Sequence, residues 1–146
     1  MDRYLEFILN HYLLSLALAV VTFLLIQDFI ETAFRKFEPI SPVTAVTKMN
    51  TLETVVLDVR EEPEFIKGHI EDAINIPLSK LNERVNKLNH AKDKPIIVVC
   101  QTGTRSTPAC KILTQNGFQN VLSMIGGMQS WEENKLPIKV SAKDKA

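Results

Sequence analysis

The feature that most restricts this chain's architecture is a run of 21 residues, "FILNHYLLSLALAVVTFLLIQ" at 7–27, without a single Asp, Glu, Lys or Arg. As an α-helix it measures about 31 Å, roughly the hydrocarbon thickness of a bilayer. Thirteen of its residues are Leu, Ile, Val or Phe, each favouring insertion by roughly 0.3–0.6 kcal/mol near the helix centre. Asn10 and His11 oppose insertion but sit near the end, where the cost is smaller. The run is apolar on all faces, whereas a surface helix of a soluble domain shows only an apolar stripe. A cleaved signal peptide wants a basic start and a small-x-small cleavage site. Here "MDRYLE" carries both signs and "QDFIETAFRKFEP" offers no such site. The expectation is an uncleaved single-span anchor, with Tyr4, Phe7 and Tyr12 at one interface and Phe29, Phe34 and Phe37 at the other. Arg3 precedes the span, while Arg35, Lys36 and Lys48 follow it. The excess on the carboxyl side directs the bulk of the chain to the cytoplasmic face of the cell (inner) membrane.

An anchor and linker over 1–37 leave residues 38–140 for a folded domain and 141–146 for a polar tail. "FRKFEPISP" reads as a connector, and Ser41-Pro42 as a cap and first-turn proline opening a helix. "TVVLDV" (54–59), "AINIP" (73–77), "PIIVVC" (95–100) and "NVLSMI" (120–125) read as strands. Between them lie one helical turn in "REEPEFIKGHIEDA", an amphipathic helix carrying Leu78, Leu81, Val85 and Leu88, and a helix in "STPACKILTQNG". "MQSWEENKL" is a final short helix. Alternating strands and helices predict an α/β fold with a central, mainly parallel sheet flanked by helices.

Lys and Arg number 17, as do Asp and Glu, so no basic face invites nucleic acid. Two cysteines ten residues apart make no disulfide framework and fit a reducing compartment. There is no CxxC and no Cys/His cluster at zinc spacing, so no metal is expected.

The chemistry concentrates in "IIVVCQTGTRSTPACKIL", 96–113. In a parallel sheet, ligands bind beyond the carboxyl ends of the strands, and Cys100 stands at such an end. If residues 101–105 curl around it into a helix start, their N–H groups converge on the sulfur as an anion-binding concavity. Such donors and a nearby cation favour a thiolate. Gly103 permits the curl, and Arg105 brings a planar cation suited to an oxyanion. Loop length separates two chemistries. Thiol phosphatases cradle a phosphate with C-x5-R, whereas Arg105 follows Cys100 as C-x4-R. The smaller ring suits a single sulfur atom carried on Cys100.

With these residues in view, the chain resembles the single-domain rhodaneses, the thiosulfate sulfurtransferase-like family, over residues 40 to about 138. "DVREEPEFIKGHIEDAINIP" is similar to that family's first signature, "CQTGTRS" to its active loop, and "NGFQNVLSMIGGMQSWEENKLP" to its closing signature. The resemblance implies that Cys100 attacks the outer sulfur of a donor such as thiosulfate, releasing sulfite and leaving a persulfide. An acceptor then takes that sulfur: cyanide in the test tube, a thiol or thioredoxin-like protein in a cell. It also implies that the amides of 101–105 stabilise the sulfur and that Arg105 steers the donor's sulfonate, with no metal or organic cofactor. Gln101, Thr102 and Thr104 are uncharged where many family members carry basic residues. The loop's field is therefore modest, and the true donor need not be thiosulfate.

The remaining candidates have two readings each. Asp58 orders neighbouring backbone or supports the loop. Arg60 lines the mouth and binds an anionic donor, or forms an exposed salt bridge. His69 is a hydrogen-bonded structural residue rather than a base, because an amide-held thiolate needs none. Ser106 caps the following helix or bonds the sulfur. Cys110 is a small packed residue or resolves an oxidised Cys100, and Trp131 is core. The competing function is a membrane-tethered interaction module that binds a membrane-protein partner with little catalysis. A phosphatase or arsenate reductase is disfavoured by the loop length.

Overall fold

The computed structural model describes residues 2–33 and 36–141. They form two compact units that divide between residues 35 and 36.

In the first unit, α1 (Asp2–Asn10) and α2 (Tyr12–Ala33) meet at His11, whose ring lies 5.0 Å from that of Phe7. The stretch of α2 long and apolar enough to cross a membrane is Tyr12–Ile30, with a mean hydropathy of 2.3. Helical hydrogen bonds continue across the junction, from His11 N–H to the Phe7 carbonyl and from Ser15 N–H to the His11 carbonyl, each at 3.0 Å. None of this stretch is buried against the protein. Phe34 and Arg35, used above for the interface and orientation, lie outside the described residues.

The second unit is an α/β layer structure. Its elements run β1 (Glu38–Ile40), α3 (Pro42–Thr51), β2 (Val55–Asp58), α4 (Glu62–Lys67), β3 (Ile74–Asn75), α5 (Leu78–Arg84), a 3₁₀ segment (Val85–Ala91), β4 (Ile96–Val99), α6 (Ser106–Gln115), β5 (Val121–Met124) and α7 (Gly127–Glu133). The five strands are ordered β1-β5-β4-β2-β3 and all pair in parallel. This is the mainly parallel sheet expected from the alternation of elements.

β4 is central and reads "IIVV" because both of its faces are covered. Ile96 and Val98 pack with Leu57, Leu81, Leu88, Ala109 and Leu113 beneath α5 and α6. Ile97 and Val99 pack on the other face with Ala45, Met124, Met128 and Trp131 from α3, β5 and α7. All four β4 side chains are fully buried, each worth roughly 1.5–3 kcal/mol relative to exposure.

Two elements differ from the sequence reading. The connector hides β1, which pairs Glu38, Pro39 and Ile40 with Leu122, Ser123 and Met124. A proline within a run argues against a strand, but an edge position tolerates it because one side of the strand makes no ladder bonds. The helix through Leu88 breaks at Arg84 into the 3₁₀ segment. Val85, Leu88 and Ala91 are three apart and all buried, and a three-residue turn puts such positions on one face. After α7 the chain doubles back, so that His69 and Lys139 exchange N–H···O bonds of 3.0 and 2.8 Å.

Candidate active site

The site is built where the central strand ends. β4 delivers Cys100, fully buried, at the carboxyl edge of the sheet, and α6 begins at Ser106. Between them Gly103 adopts φ +99°, a left-handed conformation that an L side chain resists. That turn brings the Gly103 N–H onto Cys100 Sγ at 2.9 Å. Thr102 and Thr104 sit exposed on the outside of the curl, their hydroxyls 3.3 Å apart.

The loop is held from behind by residues that the sequence reading did not single out. The first N–H groups of α7 point at it: Met128 N–H donates to the Cys100 carbonyl at 2.8 Å, and Gln129 N–H to the Gln101 carbonyl at 3.0 Å. With those carbonyls turned outward, the Gly103 amide is free to face the sulfur. The close approach requires Gly127, at φ +58°, where an added Cβ would fall on the Cys100 carbonyl oxygen and within 2.8 Å of Gln101 backbone atoms. The signal was present in the "GGMQSW" element of the closing signature.

A second support comes from Asp58 and Arg60. Asp58 Oδ1 accepts the Arg60 backbone N–H at 3.0 Å, and its carboxylate accepts Arg60 Nε and Nη2 at 2.7–3.1 Å. Arg60 Nη2 also donates to the Gly68 carbonyl at 2.7 Å, and Nη1 reaches Gln101 Oε1 at 3.2 Å. Arg60 is only 3% exposed, which corrects both readings of it. It neither lines the mouth nor forms a surface salt bridge, because its guanidinium is consumed in tying β2, the α4 end and the loop together. Asn75 Nδ2 donates to the Asp58 and Arg60 carbonyls at 3.1 and 2.9 Å, which closes the same corner.

Arg105, expected to meet a donor's sulfonate, has a partner within the protein. Its two terminal nitrogens donate to Glu64: Nη1 to Oε2 and Nη2 to Oε1, each at 2.8 Å. Glu64 also accepts the Glu61 backbone N–H at 3.1 Å, across the first turn of α4. The Arg105 hydrogen bonds, chiefly, hold the Glu64 carboxyl far below its ordinary range, at about 2. Glu64 is the leading residue of "EFIKGHI", so the first signature contained it, but nothing in its local spacing pointed to a partner in the loop.

His69 is buried, its Nδ1 2.8 Å from the Phe65 carbonyl and its ring stacked 3.9 Å from that of Phe65. Ser106 is fully buried, and its hydroxyl has no hydrogen-bond partner among the protein groups, so it makes neither the helix cap nor the sulfur contact expected of it. Cys110 is fully buried on α6. Burial pushes its thiol up to about 12, against a hydrogen bond with Ser123 and with a further push from Cys100 nearby. Its side chain belongs to the core cluster with Ala109 and Leu113, where it packs as a small apolar group. Trp131 is core, its Nε1 donating to the Pro137 carbonyl at 3.0 Å.

A buried thiol at a strand end, one amide on its sulfur and a C-x4-R curl into a helix match a known domain. The rhodanese-like domain family model matches residues 41–134. The chain belongs to that family. Among its relatives is the uncharacterized protein YibN of Escherichia coli K12, 31% identical over 140 residues, covering 94% of this chain and 97% of that one. That similarity extends through the apolar helix. The thiosulfate sulfurtransferase GlpE of Coxiella burnetii is 31% identical over 96 residues, 66% of this chain and 88% of that protein. Among solved structures, a rhodanese-related protein of Thermoplasma volcanium superposes with a TM-score of 0.65 at 36% identity, over 71% of this chain and 99% of its own. The rhodanese-like domain and its sulfurtransferase relatives support sulfurtransferase activity in general.

Proposed function

We propose that the protein is a membrane-anchored sulfurtransferase that moves a sulfane sulfur from a donor such as thiosulfate to a thiophilic acceptor through a persulfide on Cys100. The observation that carries this reading is the Gly103 amide held on Cys100 Sγ at the end of the central strand. The Cys100 thiolate attacks the outer sulfur, the S–S bond of the donor breaks, and sulfite departs with the bonding pair when thiosulfate is the donor. An acceptor thiolate, on a small molecule or a thioredoxin-like protein, then attacks the outer sulfur of the persulfide and regenerates Cys100. The Gly103 amide steadies the anionic sulfur. Gln101, Thr102 and Thr104 form the rim around the incoming group and Ser106 lies buried behind it, while Asp58, Arg60, His69 and Arg105 hold the frame.

Residues 38–140 form the catalytic domain of this reading, and residues 1–37 anchor it. We infer a single pass through the inner membrane with the domain in the cytoplasm, from Arg3 before the apolar stretch and Arg35, Lys36 and Lys48 after it in the sequence. A second reading is a tethered interaction module that binds a membrane protein. The exposure of Tyr12–Ile30 on every side favours it, since sulfur transfer by itself needs no bilayer.

The test is intact mass of the full chain in detergent micelles after anaerobic incubation with thiosulfate or other sulfane donors, beside Cys100→Ala. The expected result is a gain of one sulfur atom that cyanide removes and the variant lacks. Absence of any gain, with every donor, transfers the assignment to the interaction module.

A further inference from the structure

The sulfur-loading reaction differs sharply in charge between donor classes. With thiosulfate, a thiolate must meet a dianion. With a persulfide, Cys100–S⁻ bonds to the outer sulfur of R–S–SH, the S–S bond breaks, and R–S⁻ leaves with the electron pair while the proton stays on the transferred sulfur. Each reaction balances without an external oxidant or reductant, but only the first brings three negative charges together. A site made for thiosulfate therefore needs unpaired cations facing its mouth.

Here the two arginines that frame the loop are both neutralised by carboxylates. Arg60 is buried on Asp58. Arg105 is locked in a two-point pair with Glu64, at 2.8 Å on both sides. The other side chains of the curl, Gln101, Thr102, Thr104 and Ser106, carry no charge. Glu61 stands beside this pair, its N–H donating to Glu64 at 3.1 Å, and brings a further carboxylate to the same corner. The fork geometry matters in particular, because Glu64 takes both terminal nitrogens of Arg105 and with them the end-on face that matches an oxyanion, leaving only the Nε side.

We propose that Glu64 is a specificity-determining positioning residue. By occupying the oxyanion-binding face of Arg105, it directs Cys100 toward alkyl persulfide donors and away from the thiosulfate dianion. The inference rests on the Cys100 persulfide reading and names the substrate class that loads it. Glu64 acts through Arg105 and does not touch the transferred sulfur.

The experiment measures anaerobic loading of Cys100 in the full chain, in micelles, by intact mass. Sodium thiosulfate and cysteine persulfide are the two donors, compared at low and high salt. The wild type is expected to load from cysteine persulfide with a kcat/KM about tenfold or more above that for thiosulfate. Salt should leave thiosulfate loading unchanged or speed it, because screening relieves repulsion. Glu64→Gln should move the donor ratio toward thiosulfate by about tenfold, mainly through KM, and make thiosulfate loading fall with salt. Thr104→Arg, which adds a cation to the exposed rim while leaving Glu64 in place, should shift the ratio the same way and serves if Glu64→Gln fails to fold. A wild type that prefers thiosulfate, or a ratio that neither substitution moves, overturns the inference while leaving the persulfide reading intact. Loading from neither donor removes both.

Discussion

Replacing Gly127 by alanine tests whether α7 builds the active loop. Gly127 and Gly117 both have positive φ, +58° and +89°, so each alanine incurs a left-handed backbone penalty of about 1–2 kcal/mol. They differ in surroundings. An added Cβ at Gly117 meets nothing within 4 Å, whereas at Gly127 it overlaps the Cys100 carbonyl and crowds Gln101 backbone. Those atoms are backbone and cannot swing aside, so the first turn of α7 must withdraw. Withdrawal breaks the Met128–Cys100 and Gln129–Gln101 hydrogen bonds, each worth about 0.5–1.5 kcal/mol net. Gly127→Ala should therefore destabilise the domain by about 2–5 kcal/mol, roughly 1–3 more than Gly117→Ala. The loading rate of Cys100 should fall in Gly127→Ala alone, since only there does the loop lose its backing. Urea unfolding in micelles can be followed by the fluorescence of Trp131, the single tryptophan of the chain, buried on α7 itself. Equal stability losses in the two variants, together with wild-type loading by Gly127→Ala, would refute the claim that the α7 turn shapes the loop.

Three further outcomes are expected. Asp58→Ala strands the Arg60 guanidinium, 3% exposed, and should cost about 3–5 kcal/mol in the same urea titration, whereas an apolar double replacement such as Asp58→Leu with Arg60→Met should recover most of it. Ser106→Ala removes a buried hydroxyl that has no protein partner, so stability should be unchanged or higher by about 1 kcal/mol; a loss beyond that would mean the hydroxyl has a partner after all. The Cys110 thiol, raised from 9.0 to about 12 in the fold, is harder to ionise folded than unfolded. Its contribution to stability is thus complete below pH 9 and is lost as pH climbs through 12. Cys110→Ala should flatten the alkaline fall in stability over that window, and an unchanged slope would contradict the burial.

The layer structure was legible because its signals are local. Four strands and the helices between them follow from β-branched runs, from Leu and Val spacing, and from glycine stops, all readable within a dozen residues. β1 was not legible, since its strand character comes from pairing with β5, about eighty positions along the chain, and its own residues, Glu38-Pro39-Ile40, argue for a connector. The break at Arg84 was half legible. Three-residue spacing at Val85, Leu88 and Ala91 fits one face of a 3₁₀ turn, but Leu78 and Leu81 have the same spacing inside a true α-helix.

The site divides along the same line. Cys100, Gly103 and the curl between them belong to one short segment, so spacing alone located them. The charge of the site is a different matter, because it depends on pairs. Counting the segment's own residues makes Arg105 a free cation, and counting the first signature makes Arg60 another. Each meets a carboxylate, Asp58 two positions before Arg60 and Glu64 forty-one positions before Arg105. The near pair lies within one short segment, yet the two residues were read separately and not as partners. The far pair required the fold, which sets α4 beside the start of α6. A loop motif therefore shows where the thiol stands, while the charge around it depends on side chains outside the motif.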